Sequence, residues 1–222
     1  MSAAAARPDR PPLRVWDLPT RLFHWALALC IVGSIVTIKI GETGWHFRFG
    51  YAILTLLLFR FIWGFAGPRY ARFSSFPPRL AAAWHALRHP EAIHVGHSPL
   101  GALSVYALLI ACTFQVVSGL FANDGILWDG PLRNWVSGST SDAITGLHLA
   151  NRIVLIALIA LHLIAIAWYR IGRRKDLIRP MLTGDTVAAP QNAEPAQDDL
   201  AIRIRAAAIL ALSALAVSAL VR

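Results

Sequence analysis

Two histidines inside one long apolar run, GLHLANRIVLIALIALHLIAIAWY over residues 146–169, are the residues of this chain best placed to do chemistry. His148 and His162 are 14 positions apart, and at about 100° per residue an α-helix returns position 14 to within roughly 40° of its start. Both imidazoles therefore leave one helix face. At about 1.5 Å rise per residue they stand roughly 21 Å apart along the axis, most of the way across a hydrocarbon core about 30 Å thick. A lone imidazole on a helix face is usually a packed residue bonded to a nearby carbonyl. Two on one face, in a span where a charged side chain costs at least about 2.5 kcal/mol, point instead to ligation, and they need partners at the same two depths.

The elements that must supply those partners follow from composition. Of 222 residues 56% are hydrophobic and only 15% charged, and the mean hydropathy is +0.54, which places the chain in the membrane class. The expected fold is all-α, an integral membrane four-helix bundle with an extra C-terminal transmembrane helix. The spans are read at 22–40, 47–66, 100–121 and 146–169, with a shorter run at 206–221 taken as the fifth. A five-residue turn, GETGW, joins the first two, so they form an antiparallel hairpin, and Gly67-Pro68 ends the second. The loop 122–145 is rich in Gly, Asp, Ser and Trp. The expected organisation is a flank at 1–21, a four-helix domain at 22–175, a linker at 176–205 and the last helix. No removable signal peptide is read at the start.

The formal net charge of +9 could suggest nucleic acid, but the basic residues gather at the ends of apolar runs and read as topology signals. Arg7, Arg10, Arg14 and Arg21 precede the first span; Arg69, Arg72, Arg79 and Arg88 follow the second; Arg170, Arg173, Arg174, Lys175 and Arg179 follow the fourth. The opposite loops hold Lys39, Arg48 and Arg133. The positive-inside rule then puts the N-terminus in the cytoplasm of a multi-pass inner-membrane protein. Within the loop after the second span, PPRLAAAWHALR forms a short surface helix with Leu80, Trp84 and Leu87 on one side. Cys30 and Cys112 lie inside apolar runs and no CxxCH occurs, so neither a disulfide framework nor covalently attached haem is expected.

With that topology His24 opens the first helix at the inner depth and His46 opens the second at the outer depth. The fourth helix descends, so His148 is outer and His162 inner. The depths pair His24 with His162 and His46 with His148. Two imidazoles at one depth supply both axial ligands of a haem, and bundles build cofactor sites in this way from facing helices. With both axial positions filled the iron suits one-electron exchange rather than oxygenation. Two haems about 20 Å apart across the bilayer make an electron path. Arg60 lies 14 residues after His46 and faces the same way at the inner depth; it either meets a counter-anion such as a haem propionate or snorkels to the inner interface near Trp63. Arg21 and Arg72 are weaker candidates, as partners of a propionate or of a lipid headgroup. His85, His89, His94 and His97 are read as members of a polar surface loop, because Pro90 and Gly96 interrupt any ligand-bearing face and no cysteine joins them.

The stretches VWDLPTRLFHW, GYAILTLLLFRFIWGFAGPRYARF and GHSPLGALSVYALL, with the paired histidines of the fourth span and the trailing RPMLTG, resemble the bacterial cytochrome b561 group. That group shares its helical core with the b-type cytochrome subunits of nickel-iron hydrogenases and of membrane-bound formate dehydrogenase. The likeness covers about residues 14–184. It implies a four-helix core with two haem b groups on His24, His46, His148 and His162, exchanging electrons between a quinone (ubiquinone or menaquinone) and a redox partner. Such a partner would be a hydrogenase, a dehydrogenase or a multihaem c-type cytochrome, and a homodimer is also open. The competing reading is a histidine-lined transporter for metal ions or protons. It would want acidic residues and broken helices at mid-membrane, and the spans show neither. A purely structural anchor would have no use for four histidines at matched depths.

Overall fold

The computed structural model describes residues 12–88, 95–187 and 192–222. Among the described residues seven α-helices run in the order α1 (Leu18–Lys39), α2 (Thr43–Ala66), α3 (Leu80–Arg88), α4 (Pro99–Phe121), α5 (Gly138–Ile171), α6 (Ile178–Thr183) and α7 (Leu200–Leu220). Two short strands, β1 (Leu13–Arg14) and β2 (Asp185–Thr186), pair antiparallel with Arg14 opposite Asp185. Five of the helices, α1, α2, α4, α5 and α7, are long and apolar enough to cross a membrane. The protein is a multi-pass helical membrane bundle.

Local sequence sets where these helices start. Asp17 caps α1, its carboxylate accepting from the Thr20 amide at 2.9 Å, and Pro19 follows in the first turn, where its missing N–H costs nothing. Ser98 caps α4 ahead of Pro99, Ser137 caps α5, and Asp199 caps α7. Three expected boundaries need correction, two of them at these caps. Ser137 starts α5 at Gly138 rather than at 146, so the last part of the expected loop is helix. Asp199 starts α7 at Leu200 rather than at 206, and its 21 residues reach about 31 Å, enough for a span. The α1–α2 turn is shorter than GETGW, because α2 begins at Thr43 and already contains His46.

The long helices pack as two hairpins, α1 on α2 and α4 on α5, joined where α2 meets α4; α7 lies along α2. Gly33 allows the first hairpin to close, since a Cβ there would stand 2.5 Å from Cζ of Phe49. Leu57, Phe59 and Trp63 of α2, Leu109 and Cys112 of α4, and Ile202 and Ala206 of α7 form the core. The outward faces are apolar too: Leu29 and Val32 on α1 and Leu161, Leu163 and Ile164 on α5 are exposed. Backbone groups are satisfied inside each helix, so lipid can cover these faces. Among the long helices α5 packs closely on α4 alone. It stands off α1 and α2, and its histidines face across that gap.

Candidate haem-binding site

The end of the bundle at which α1 starts carries Arg14, Arg21, Arg170, Arg203 and Arg205, and is termed the basic end; the other is the far end. His24 on α1 and His162 on α5 meet toward the basic end with ring centroids 6.5 Å apart. His46 on α2 and His148 on α5 meet toward the far end, also at 6.5 Å, with their planes at 90°. Three helices thus bring the four histidines together two by two, in the couples that their depths suggest.

The far-end couple is held by carbonyls. Nδ1 of His46 lies 3.0 Å from the Ser34 carbonyl oxygen and 3.0 Å from Ser34 Oγ. Nδ1 of His148 lies 2.9 Å from the Gln115 carbonyl oxygen and 3.1 Å from Ser118 Oγ. An imidazole that donates Nδ1–H to a carbonyl turns Nε2 toward a metal and fixes its tautomer. The Gln115 side-chain amide donates to His148 Nε2 at 3.0 Å, while its oxygen accepts from Asn151 at 2.7 Å. Gly119 leaves room for the ring, since a Cβ there would stand 3.1 Å from His148 Cε1. Sequence reasoning missed Gln115, Asn151 and Gly119. The signal was available for the first two, because amides within an apolar span are expensive unless paired.

The basic-end couple is less constrained. Nδ1 of His24 is buried with no partner among the described residues, and the Trp25 indole packs edge-on against its ring with centroids 5.0 Å apart. Arg60 is 3% exposed, sits over the Phe73 ring at 4.6 Å and leaves Nη1 without a partner among the described residues. Nearby Asp17, 1% exposed, has its oxygens taken by Thr20 N, Thr20 Oγ1 and Trp63 Nε1. Burial pushes the Asp17 carboxyl above the usual carboxylate range, against the pull of those hydrogen bonds. Arg21 donates to the Leu182 carbonyl at 2.6 Å and keeps a buried Nε with no partner among the described residues; Arg72 is exposed.

The reading of four histidines on a polar surface loop needs correction. His89 and His94 lie outside the described residues, and His85 is on the exposed side of α3. His97, however, is packed among rings, 4.7 Å from Trp16 and 4.2 Å from Phe76, with Nδ1 shut off from solvent. The segment before α1 folds across it, a contact the local sequence of the loop does not show. Burial, and then the Arg60 charge, push its imidazole down to about 3, so it stays neutral at ordinary pH.

Two facing imidazoles from separate helices can share one metal between them. Among the described residues no group of three or more His, Cys, Asp or Glu forms a metal cage. Two protein ligands are what a macrocycle needs when it already fills the other positions. The sequence profile described as prokaryotic cytochrome b561 matches residues 15–184. The chain belongs to that family.

Membership makes it a membrane cytochrome of b type, which implies haem b and electron transfer. Among curated proteins it is similar to the "Probable Ni/Fe-hydrogenase B-type cytochrome subunit" of Azotobacter chroococcum, 30% identical with 77% of this chain and 86% of the relative covered. The protein of the same name from Azotobacter vinelandii is 28% identical over the same shares. The corresponding hydrogenase 1 subunit of Escherichia coli K12 is 23% identical over 47% of this chain and 57% of its own length. No solved structure matches. α7 lies beyond the matched residues.

Proposed function

We propose that this cytochrome b561 family member holds two haem b groups, one on His24 and His162 and one on His46 and His148, and passes electrons between a membrane quinone and a redox partner protein. The carrying observation is the separation of 6.5 Å in both couples. Two imidazole nitrogens, each about 2 Å from a shared metal, leave ring centroids about 6 Å apart. The orphaned Nδ1 of His24 and Nη1 of Arg60 support the same reading, since buried polar atoms without partners are costly, about 1–3 kcal/mol each.

Bound haem supplies reversible one-electron chemistry. The chain's residues do the rest. Ser34 and Gln115 carbonyls fix the far-end tautomers; Leu, Ile and Phe side chains exclude water; Arg60 meets the charge of a propionate. The Gln115 amide donates to His148 Nε2 and would turn aside for that nitrogen to hold the haem. The partner is a nickel-iron hydrogenase, on the strength of the relatives' names; a dehydrogenase or a multihaem c-type cytochrome is the other class of donor. The quinone is ubiquinone or menaquinone. The basic end faces the cytoplasm and the membrane is the bacterial inner membrane.

The absorption spectrum of the purified, dithionite-reduced protein tests this. Sharp b-type bands with two haems per chain are expected. A colourless folded protein would sink the reading and leave the transporter alternative standing.

A further inference from the structure

Around Arg60 the chain builds a box of rings from four separate segments. Phe73 packs on Phe76 at 5.9 Å and on Tyr106 at 5.6 Å, Phe76 lies 5.8 Å from Tyr106, and Trp16 and Phe76 close on His97. Two polar atoms are buried in it without partners among the described residues: Nη1 of Arg60 and Nδ1 of His97. They come from α2 and from the segment before α4, so their proximity is a product of the fold rather than of local sequence.

The depth is informative. At about 1.5 Å per residue, His24 stands about 9 Å from the start of α1 at Leu18, and Arg60 about 9 Å from the end of α2 at Ala66. Arg60 is therefore level with the basic-end couple. A buried guanidinium with no ion pair among the described residues calls for an anion. Asp17 is the carboxylate whose charge acts on Arg60, and its oxygens are already engaged. A neutral quinone ring would leave the charge unmatched, and rings this closely packed suit a small two-oxygen group arriving on a flexible chain.

Resting on the reading above, we infer that Arg60 and His97 together receive a carboxylate of the haem held by His24 and His162, Nη1 and Nδ1–H donating to its two oxygens. His97 adds a donor without a second positive charge, because the Arg60 cation and burial keep it neutral. A charge-assisted pair from Arg60 and a neutral hydrogen bond from His97 spread the carboxylate's charge away from the iron. Removing the His97 donor concentrates that charge and favours the ferric state.

The test is an optical redox titration of the purified full-length cytochrome, the basic-end wave being identified as the one missing in His162→Ala. His97→Leu is expected to lower the potential of that wave and leave the other in place, and His97→Gln, which keeps a donor, to restore most of the shift. Redox-induced infrared difference spectra with 13C-labelled propionates provide a second readout: the labelled carboxylate bands should move in His97→Leu. A coloured, folded His97→Leu with unchanged potential and unchanged bands overturns the inference alone. So does a raised KM for quinol with unchanged potential, which would assign the box to the substrate. A protein that binds no haem fails the earlier reading instead.

Discussion

Gly119 is small because His148 needs the space. Any side chain there meets the imidazole at van der Waals distance or closer, 3.1 Å from Cε1 and 3.4 Å from Nδ1 for a bare Cβ. Gly119→Val should displace the ring from its carbonyl anchor, empty the far-end site and leave the basic-end site filled, at a cost of about 1–3 kcal/mol in stability from overpacking. Haem per chain by pyridine haemochrome and a thermal melt check both parts; a variant retaining two haems would show that the ring adapts. At this scale the sequence was readable where period and depth decide, since 14-residue spacing puts His148 and His162 on one face whatever surrounds them. It was unreadable where a distant segment decides. His97 looks polar in HVGHSP, and only the folding of Trp16 and Phe76 over it makes it a buried group.

Between elements, the basic end is closed by a carboxylate clamp. Asp198, its side chain 4% exposed, accepts from the Leu18 amide at 3.2 Å, from Arg203 Nε at 3.2 Å and from Arg14, and it lies 3.9 Å from Arg21. Arg14 also pairs with Asp185 at 2.6 Å, and its own carbonyl accepts from the Ala196 amide. The clamp ties the start of α1, the β1–β2 pair and the start of α7 together, and Arg205 of α7 lies over the Trp63 ring at 5.5 Å. Burial alone would raise the Asp198 carboxyl, but its hydrogen bonds and the arginines outweigh burial and hold it below the usual range. A depressed folded-state pKa contributes stability above the unfolded value of about 3.9 and loses it as pH falls through the folded value. Asp198→Asn should therefore cost about 1–3 kcal/mol at pH 7, as expected for weakening hydrogen bonds to a charged acceptor. The deficit relative to wild type should shrink as pH drops below about 4. Thermal melts of both proteins across pH check this; because Asp17 shifts in the opposite direction in both, only the difference between them isolates Asp198. A constant deficit at every pH would contradict the assignment. The count and order of the long helices were legible in the hydropathy, whereas α6 lies in the stretch read as linker, and the early starts of α5 and α7 depended on caps at Ser137 and Asp199 inside polar stretches that read equally well as loop.

For the whole molecule, the proposed orientation rests on the charge asymmetry and the proposed function on the paired histidines. Reporter fusions at the N-terminus and in the α4–α5 loop should give cytoplasmic and periplasmic signals respectively, and the reverse pattern would invert the proposed direction of the electron path. Both couples share α5 and no other helix, so each site should be lost independently. The most direct measurement is haem per chain in the wild type and in His162→Ala. The account predicts two in the wild type and one in the variant, the retained haem being that of His46 and His148. Two haems in the variant, or none in a variant that still folds, would contradict it.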